Sequence, residues 1–176
     1  MERGRGFKDL GNLHRWAGHF DESRQKYEEA IRIFKKYPDS VEAQLELAQV
    51  FTQRGLFFAE RNERDQAESS YQTAIEILEP VVADDLAQTA FVETLGETLL
   101  NLGNLYRDNG DYSSATEVLQ RSADLLDRLA SRQSGGHYVI SLSKVRLALG
   151  QTVYDQGHPQ KALQLYDGAI ESCAQL

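Results

Sequence analysis

Four stretches of this chain can be laid over one another without a gap. They are residues 18–31 (GHFDESRQKYEEAI), 62–75 (NERDQAESSYQTAI), 110–123 (GDYSSATEVLQRSA) and 157–170 (GHPQKALQLYDGAI). Each opens on a turn residue: Gly18, Asn62, Gly110 or Gly157. Five places on comes a small residue (Ser23, Ala67, Ala115, Ala162), four further a large one (Tyr27, Tyr71, Leu119, Tyr166), and three further a small one again (Ala30, Ala74, Ser122, Ala169). Steps of four and three fall on one face of a helix. Small alternating with large on that face lets a neighbouring helix come close and be locked by a bulky side chain. The repeat therefore predicts packing positions, and the tyrosines read as core rather than as acids or stacking platforms.

Twelve residues before each leading small residue stands a glycine: Gly11, Gly55, Gly103 and Gly150. A glycine inside a helix costs ~1 kcal/mol relative to alanine, so four at matching places predict a shared geometric need, the close approach of two backbones. Each unit is then a helical hairpin. The leading helices are expected at about residues 4–17, 39–61, 85–108 and 137–156, and their partners at about 21–36, 64–79, 113–130 and 159–173. Asp39 with Glu42 has the spacing of a capping box, and Ser113 or Ser114 can cap its helix. Pro80 weakens continuation of the fourth helix, whereas Pro159 suits a first helical position. Residues 131–136 form the most loop-like stretch, and nothing resembles a linker dividing the array.

Composition narrows the partners. Formal charge is −8, with nine Lys/Arg against seven Asp/Glu in residues 1–40 and ten against twenty in the rest. An acidic body repels phosphate backbones, which disfavours nucleic acid. Arg3, Arg5 and Lys8 read as a solvated helix start. The one cysteine, Cys173, cannot form an internal disulfide and reads as a buried thiol; together with a start that lacks a signal peptide's apolar region it suits a cytoplasmic setting. No apolar run reaches ~18 residues, so no membrane span is expected. The four histidines hold no metal-ligand spacing. His14 and His19, five apart, share no helix face, and no paired cysteines or phosphate loop occur. No metal, no cofactor and no catalytic residue is expected.

Leu10-Gly11-x-x-His14, Leu102-Gly103-x-x-Tyr106 and Leu149-Gly150-x-x-Val153, each followed by the small–large–small series, resemble the tetratricopeptide repeat. The resemblance covers about residues 4–173. It implies an all-α, right-handed α-solenoid of four helix-turn-helix hairpins, a single array over residues 1–176 with repeats about 4–37, 39–80, 85–131 and 137–175. Two departures stand out. The large positions lie 44, 48 and 47 residues apart, against a usual period of 34, so the repeats resemble the long-period members. In the second unit Arg54 replaces the leucine before the glycine, flanked by Phe51 and Phe58.

The family register implies a concave face formed by the leading helices. It carries Lys8, Asn12, Arg15 and Trp16; Gln49, Thr52, Gln53 and Leu56; Glu97, Leu100, Asn101, Asn104 and Arg107; and Lys144, Leu147, Gln151 and Tyr154. Amides suit an extended peptide, since each can meet both an N–H and a C=O. Some relatives grip a terminal carboxylate there. Lys8 and Asn12 match that clamp, but Gln53, Glu97 and Asn101 do not, and Glu97 would repel a carboxylate. No such clamp is expected. Trp16 reads either as an aromatic anchor for a partner or, slightly favoured, as half-buried packing beside Phe20. The resemblance thus implies a protein-binding scaffold or regulatory module, of a kind used in signalling, whose groove holds a protein or peptide segment. The alternative is a sensor whose superhelix changes curvature around a peptide or small ligand. The last helix, lacking a polar cap, leaves Leu163, Ile170 and Leu176 to pack on a second copy or a further segment.

Overall fold

The computed structural model describes residues 1–84, 88–131 and 136–174; the side chains of residues 84, 136, 137 and 172–174 are outside that description. Every regular element among the described residues is an α-helix: α1 (Glu2–Trp16), α2 (Phe20–Phe34), α3 (Val41–Glu60), α4 (Arg64–Asp84), α5 (Thr89–Asp108), α6 (Tyr112–Ala130), α7 (Gly136–Asp155) and α8 (Pro159–Ala174). The fold is the all-α helical-hairpin repeat implied by the pattern. The chain forms two compact units, Met1–Val81 and Val82–Leu176, with the division falling inside α4.

In both units the hairpins close through the same device. In the first, α1 packs on α2 and α2 on α3; in the second, α5 packs on α6, α6 on α7 and α7 on α8. The bulky residue of each second helix lies on the glycine of the first. A methyl group added to Gly11 would stand 2.6 Å from the Tyr27 ring, one on Gly103 2.5 Å from Leu119 Cγ, and one on Gly150 2.6 Å from the Tyr166 ring; Gly55 meets Tyr71 in the same way. Tyr27, Tyr71 and Leu119 are buried, and so are Ala30, Ala67, Ala74, Ala115, Ala162 and Ala169 around them. Tyr166 is only half-buried.

A second notch lies seven residues earlier. Gly4 lies against Phe34 at 2.7 Å and Gly96 against Leu126 at 3.0 Å, measured from the same added methyl. Serine at the small positions adds a cross-hairpin bond: Ser23 Oγ donates to the Gly11 carbonyl at 2.9 Å, Ser122 Oγ to Gly96 at 2.8 Å and Ser143 Oγ to Ala169 at 3.3 Å. Small residues thus serve both close approach and satisfaction of the carbonyls they approach.

The four turn residues are alike in backbone as well as in position. Gly18, Asn62, Gly110 and Gly157 have φ of 76°, 60°, 79° and 84°. The next residue returns its N–H to a carbonyl five earlier, His19 to His14 at 2.8 Å, Glu63 to Phe58 at 2.9 Å, Asp111 to Tyr106 at 3.0 Å and His158 to Val153 at 3.0 Å. This is the Schellman closure, in which a left-handed residue ends a helix and satisfies its last carbonyls.

Several boundaries differ from expectation. The cap of α3 is Ser40, whose side chain accepts from the Ala43 N–H, rather than Asp39. The cap of α6 is Asp111, accepting from the Ser114 N–H at 3.1 Å, rather than Ser113 or Ser114. In both cases a neighbouring acceptor of equivalent chemistry occupies the non-helical position. Helix α4 continues through Pro80, because Leu78 and Val82, one turn apart, are both buried and their burial offsets the lost N–H. Helix α5 begins at Thr89; the start expected at Asp85, most of the loop over 131–136, the Cys173 side chain and Leu176 lie outside the described residues. Gly136, expected in that loop, opens α7, and Pro159 opens α8 as its fixed φ allows. Leu163 and Ile170 are exposed, at 60% and 64%.

Candidate functional site

Each unit presents a face built from its leading helices. In the first, that face is knit by charge. Lys8 Nζ donates to Glu46 Oε2 and to Gln49 Oε1, each at 2.7 Å. Arg5 reaches Glu46 and Glu42, so α1 and α3 are joined by a basic-to-acidic belt. Burial alone would push the Glu46 carboxyl up, but the hydrogen bonds from Lys8 and Arg5 outweigh it and hold it below the usual carboxylate range. Arg15, its side chain 8% exposed, pairs with Glu60, and its Nε is buried without a hydrogen-bond partner among the described residues. The Tyr27 hydroxyl donates to Asn12 Oδ1 at 2.7 Å. Its acidity is weakened by burial first, with Arg15 pulling the other way. Gln53 and Leu56 are half-buried.

Thr52 does not look into a groove. It is buried and donates to the Ala48 carbonyl at 3.1 Å. Nor is Trp16 packed, since it is 73% exposed; its place at the last helical position carries it beyond Phe20, whose ring instead meets Phe57 at 6.1 Å. His14 and His19, expected apart, have ring centroids 5.7 Å apart because the left-handed Gly18 folds the chain back between them. Arg54 fills the family's leucine position by stacking over Phe51 at 4.7 Å and Phe58 at 5.8 Å. It donates to Ser70 Oγ at 3.1 Å. Burial, the leading influence, weakens the Arg54 guanidinium's hold on its proton.

The second unit holds a cavity of about 480 Å³, lined by Glu93, Glu97, Leu100 and Asn101 of α5 with Ser141 and Lys144 of α7. Its floor comprises Gly96, Leu126 and Val145, continuous with a core that contains Leu119, Leu142 and Leu149 and against which Leu100 packs. The Asn101 Nδ2 is buried and has no hydrogen-bond acceptor among the described residues. Glu97 sits in the concave wall with its side chain still open to solvent. The surrounding protein pushes its carboxyl up, and Lys144 pulls it part of the way back.

Of the residues expected on this face, Glu97, Leu100, Asn101 and Lys144 are brought together by the cavity. Asn104, Arg107, Gln151 and Tyr154 lie farther along α5 and α7. Arg107 bonds Asp108 at 2.9 Å, Gln151 accepts from the Tyr166 hydroxyl at 3.3 Å and donates to Asp155 at 2.9 Å, and Tyr154 is exposed. Asn104 follows Gly103 as Asn12 follows Gly11, but its hairpin carries Leu119 where the first carries Tyr27, so the Tyr27–Asn12 bond has no counterpart there. Glu93, Gly96 and Ser141 were not singled out by sequence. The signal for Gly96 is its place seven before Gly103.

Among the described residues no group of three potential ligands could hold a metal ion, and no helix is long and apolar enough to cross a membrane. Two tetratricopeptide-repeat profiles match the chain, one over residues 8–59 and the other over residues 98–133, together half of the sequence. The chain belongs to the tetratricopeptide-repeat family. Both matched segments contain a glycine notch, one at Gly11 and Gly55 and the other at Gly103.

Solved structures agree on the repeat fold. BtubC (BKLC) from P. vanneervenii is similar with a TM-score of 0.77 and 20% identity over 98% of this chain and 63% of that one. Aspartyl phosphate phosphatase F from Bacillus subtilis gives 0.80 and 17% over 99% of this chain and 41% of that one. MamA gives 0.52 and 18% over 97% and 92%. At these identities the likeness is one of fold, and this tetratricopeptide-repeat chain spans less than two thirds of the length of the first two. Among curated proteins none matches the sequence.

Proposed function

We propose that this tetratricopeptide-repeat chain is a protein-interaction module that holds a segment of a partner protein against its leading helices, with the α5–α7 face of the second unit as the principal grip. The observation that carries this reading is the α5–α7 cavity, where polar and charged side chains, Asn101 among them, stand over an apolar floor, the mixture that suits a peptide segment. Leu100 beside it supplies apolar contact, and Asn104 one turn on supplies a second amide. Lys8, Asn12, Arg15 and Gln49 are engaged within their own unit, so a segment meeting the α1–α3 face would meet Gln53 and Leu56. No catalytic step is assigned to the chain.

Selection of a random peptide library on the purified protein tests the reading. Peptides that bind the parent should lose at least tenfold in affinity against an Asn101→Ala, Asn104→Ala double variant. Unchanged capture by that variant overturns the groove. The same reading gives the exposed Leu163 and Ile170 to a second copy of the chain, and sedimentation showing a monomer at every concentration removes that part.

A further inference from the structure

We propose that the α8 face of one copy of this chain packs on the α1 face of the next, head to tail, so that the hairpin repeat continues from copy to copy. This rests on the reading that gives Leu163 and Ile170 to a second copy, and names the surface that covers them.

Equivalent positions of the repeat differ sharply in burial. Aligned on the notch glycines Gly11, Gly55 and Gly150, Leu13 of α1 corresponds to Phe57 of α3 and Thr152 of α7. Both counterparts are buried, and Phe57 meets the Tyr27 ring of the preceding α2 edge-on at 6.2 Å. Leu13 is 56% exposed. Leu10 corresponds to Leu149, which is buried in one cluster with Leu119 of the preceding α6, yet Leu10 is 42% exposed. On α8, Ile170 corresponds to Ile31 of α2 and Ala123 of α6. Both are buried, Ala123 in that same cluster with Val145 of the following α7, whereas Ile170 is open. Helix α1 thus offers the side that a leading helix turns to the hairpin before it. Helix α8 offers the side that a second helix turns to the leading helix after it. A repeat array is stabilised through contacts of this one kind between neighbours, and here both halves of the contact are exposed.

Size and charge fit as well. Where α3 and α7 carry the buried Val50 and Val145, α1 carries Gly6, with nothing within 4 Å of an added methyl. Where α6 carries Ala123, α8 carries the larger Ile170. Bulk has moved from one side of the contact to the other, so Ile170 of one copy has room over Gly6 of the next. Consecutive helices of a hairpin array run antiparallel, which lays the first turn of α1 along the last turns of α8. Arg3, exposed and stacked on Phe7, then faces the exposed Glu171. A two-fold pairing of α8 with α8, centred between Leu163 and Ile170, would instead bring two Asp167 carboxylates together, which repel. Because the α1 and α8 faces differ, the contact is heterologous and does not stop at two copies.

Two variants of the whole chain, one altered on each face, test this by sedimentation. The parent's mean mass should rise with concentration past that of a dimer. Leu13→Glu and Ile170→Glu should each stay monomeric alone. Their equimolar mixture should give a species of twice the monomer mass and none larger, since one variant keeps the α8 face and the other the α1 face. Both substitutions fall on exposed side chains, and circular dichroism checks that the helices are kept; Leu13→Ser and Ile170→Ser repeat the experiment if a glutamate variant unfolds. A parent whose mass levels off at two copies, or a Leu13→Glu variant that assembles as the parent does, overturns the head-to-tail contact in favour of a two-fold one. Absence of the dimer on mixing two variants that are each monomeric overturns it as well. A parent that is monomeric at every concentration overturns the second-copy reading itself, and the peptide selection described above decides the groove separately.

Discussion

The Tyr27 ring lies on the backbone of Gly11, so close that a methyl group at that glycine would stand 2.6 Å from ring carbon. The ring cannot retreat, since Tyr27 is buried and its hydroxyl is tied to Asn12. Gly11→Ala would ordinarily gain up to ~1 kcal/mol of helix propensity. Overpacking of ~1–3 kcal/mol should reverse the sign. Gly6→Ala, in the same helix with nothing within 4 Å of the added methyl, should stabilise by ~0.5–1 kcal/mol. Urea melts of the two variants should therefore move in opposite directions.

The ring itself carries more. Tyr71 is buried over Gly55, and Tyr71→Ala should cost ~3–5 kcal/mol as other large core deletions do. A midpoint within error of the parent's would show that the hairpin does not depend on it.

Much of this packing was legible in the sequence, because a notch and the side chain filling it are sixteen residues apart and repeat in phase. The turns were legible for the same reason: Asn62 and three glycines stand in register. What was not legible comes from longer range or from near-equivalents. The partners of Arg5 and Lys8 are Glu42 and Glu46, on another helix, and no local pattern links them. Asp111 and Ser113 are both good caps, and only the backbone chooses between them. An aromatic such as Trp16 has the same letter whether it is packed or open. In the candidate site, Asn101 and Lys144 were found from register, whereas Glu93 and Ser141 needed the meeting of α5 with α7.

The turns should respond to loss of a left-handed conformation. Gly110 has φ of 79° and no neighbour near its missing side chain. Gly110→Ala should cost roughly 1–2 kcal/mol through the backbone alone. Asn62→Gly should gain slightly, since the same conformation is freer for glycine. Thermal melts of the two variants check both signs.

The belt between α1 and α3 predicts a pH dependence. The Glu46 carboxyl is held below its ordinary range in the folded chain, so the stability it adds is present above the unfolded value of about 4.3. It is lost as pH falls through the lower folded value. The gap in melting temperature between parent and Glu46→Gln should be full at neutral pH and close in acid. A gap that widens in acid would show that the carboxylate is not stabilised by Lys8 and Arg5.

Arg54→Leu restores the repeat's leucine between Phe51 and Phe58. It removes a largely buried cation whose only hydrogen bond among the described residues goes to an uncharged hydroxyl, and Ser70 Oγ keeps its bond to the Gln66 carbonyl at 2.7 Å. The change removes the cost of burying the cation and forfeits its stacking on the two rings, so it should be neutral or mildly stabilising. Arg54→Ala, which also empties the space between the rings, should destabilise. Chemical denaturation of the pair separates charge from volume.

Each glycine notch and the side chain seated in it also constrain how this sequence can drift. A first change at Gly11 presses a methyl into the ring, and a first change that trims Tyr27 leaves a cavity, so either step alone is costly. Descendants of this chain should therefore keep the two residues as a pair or exchange them together.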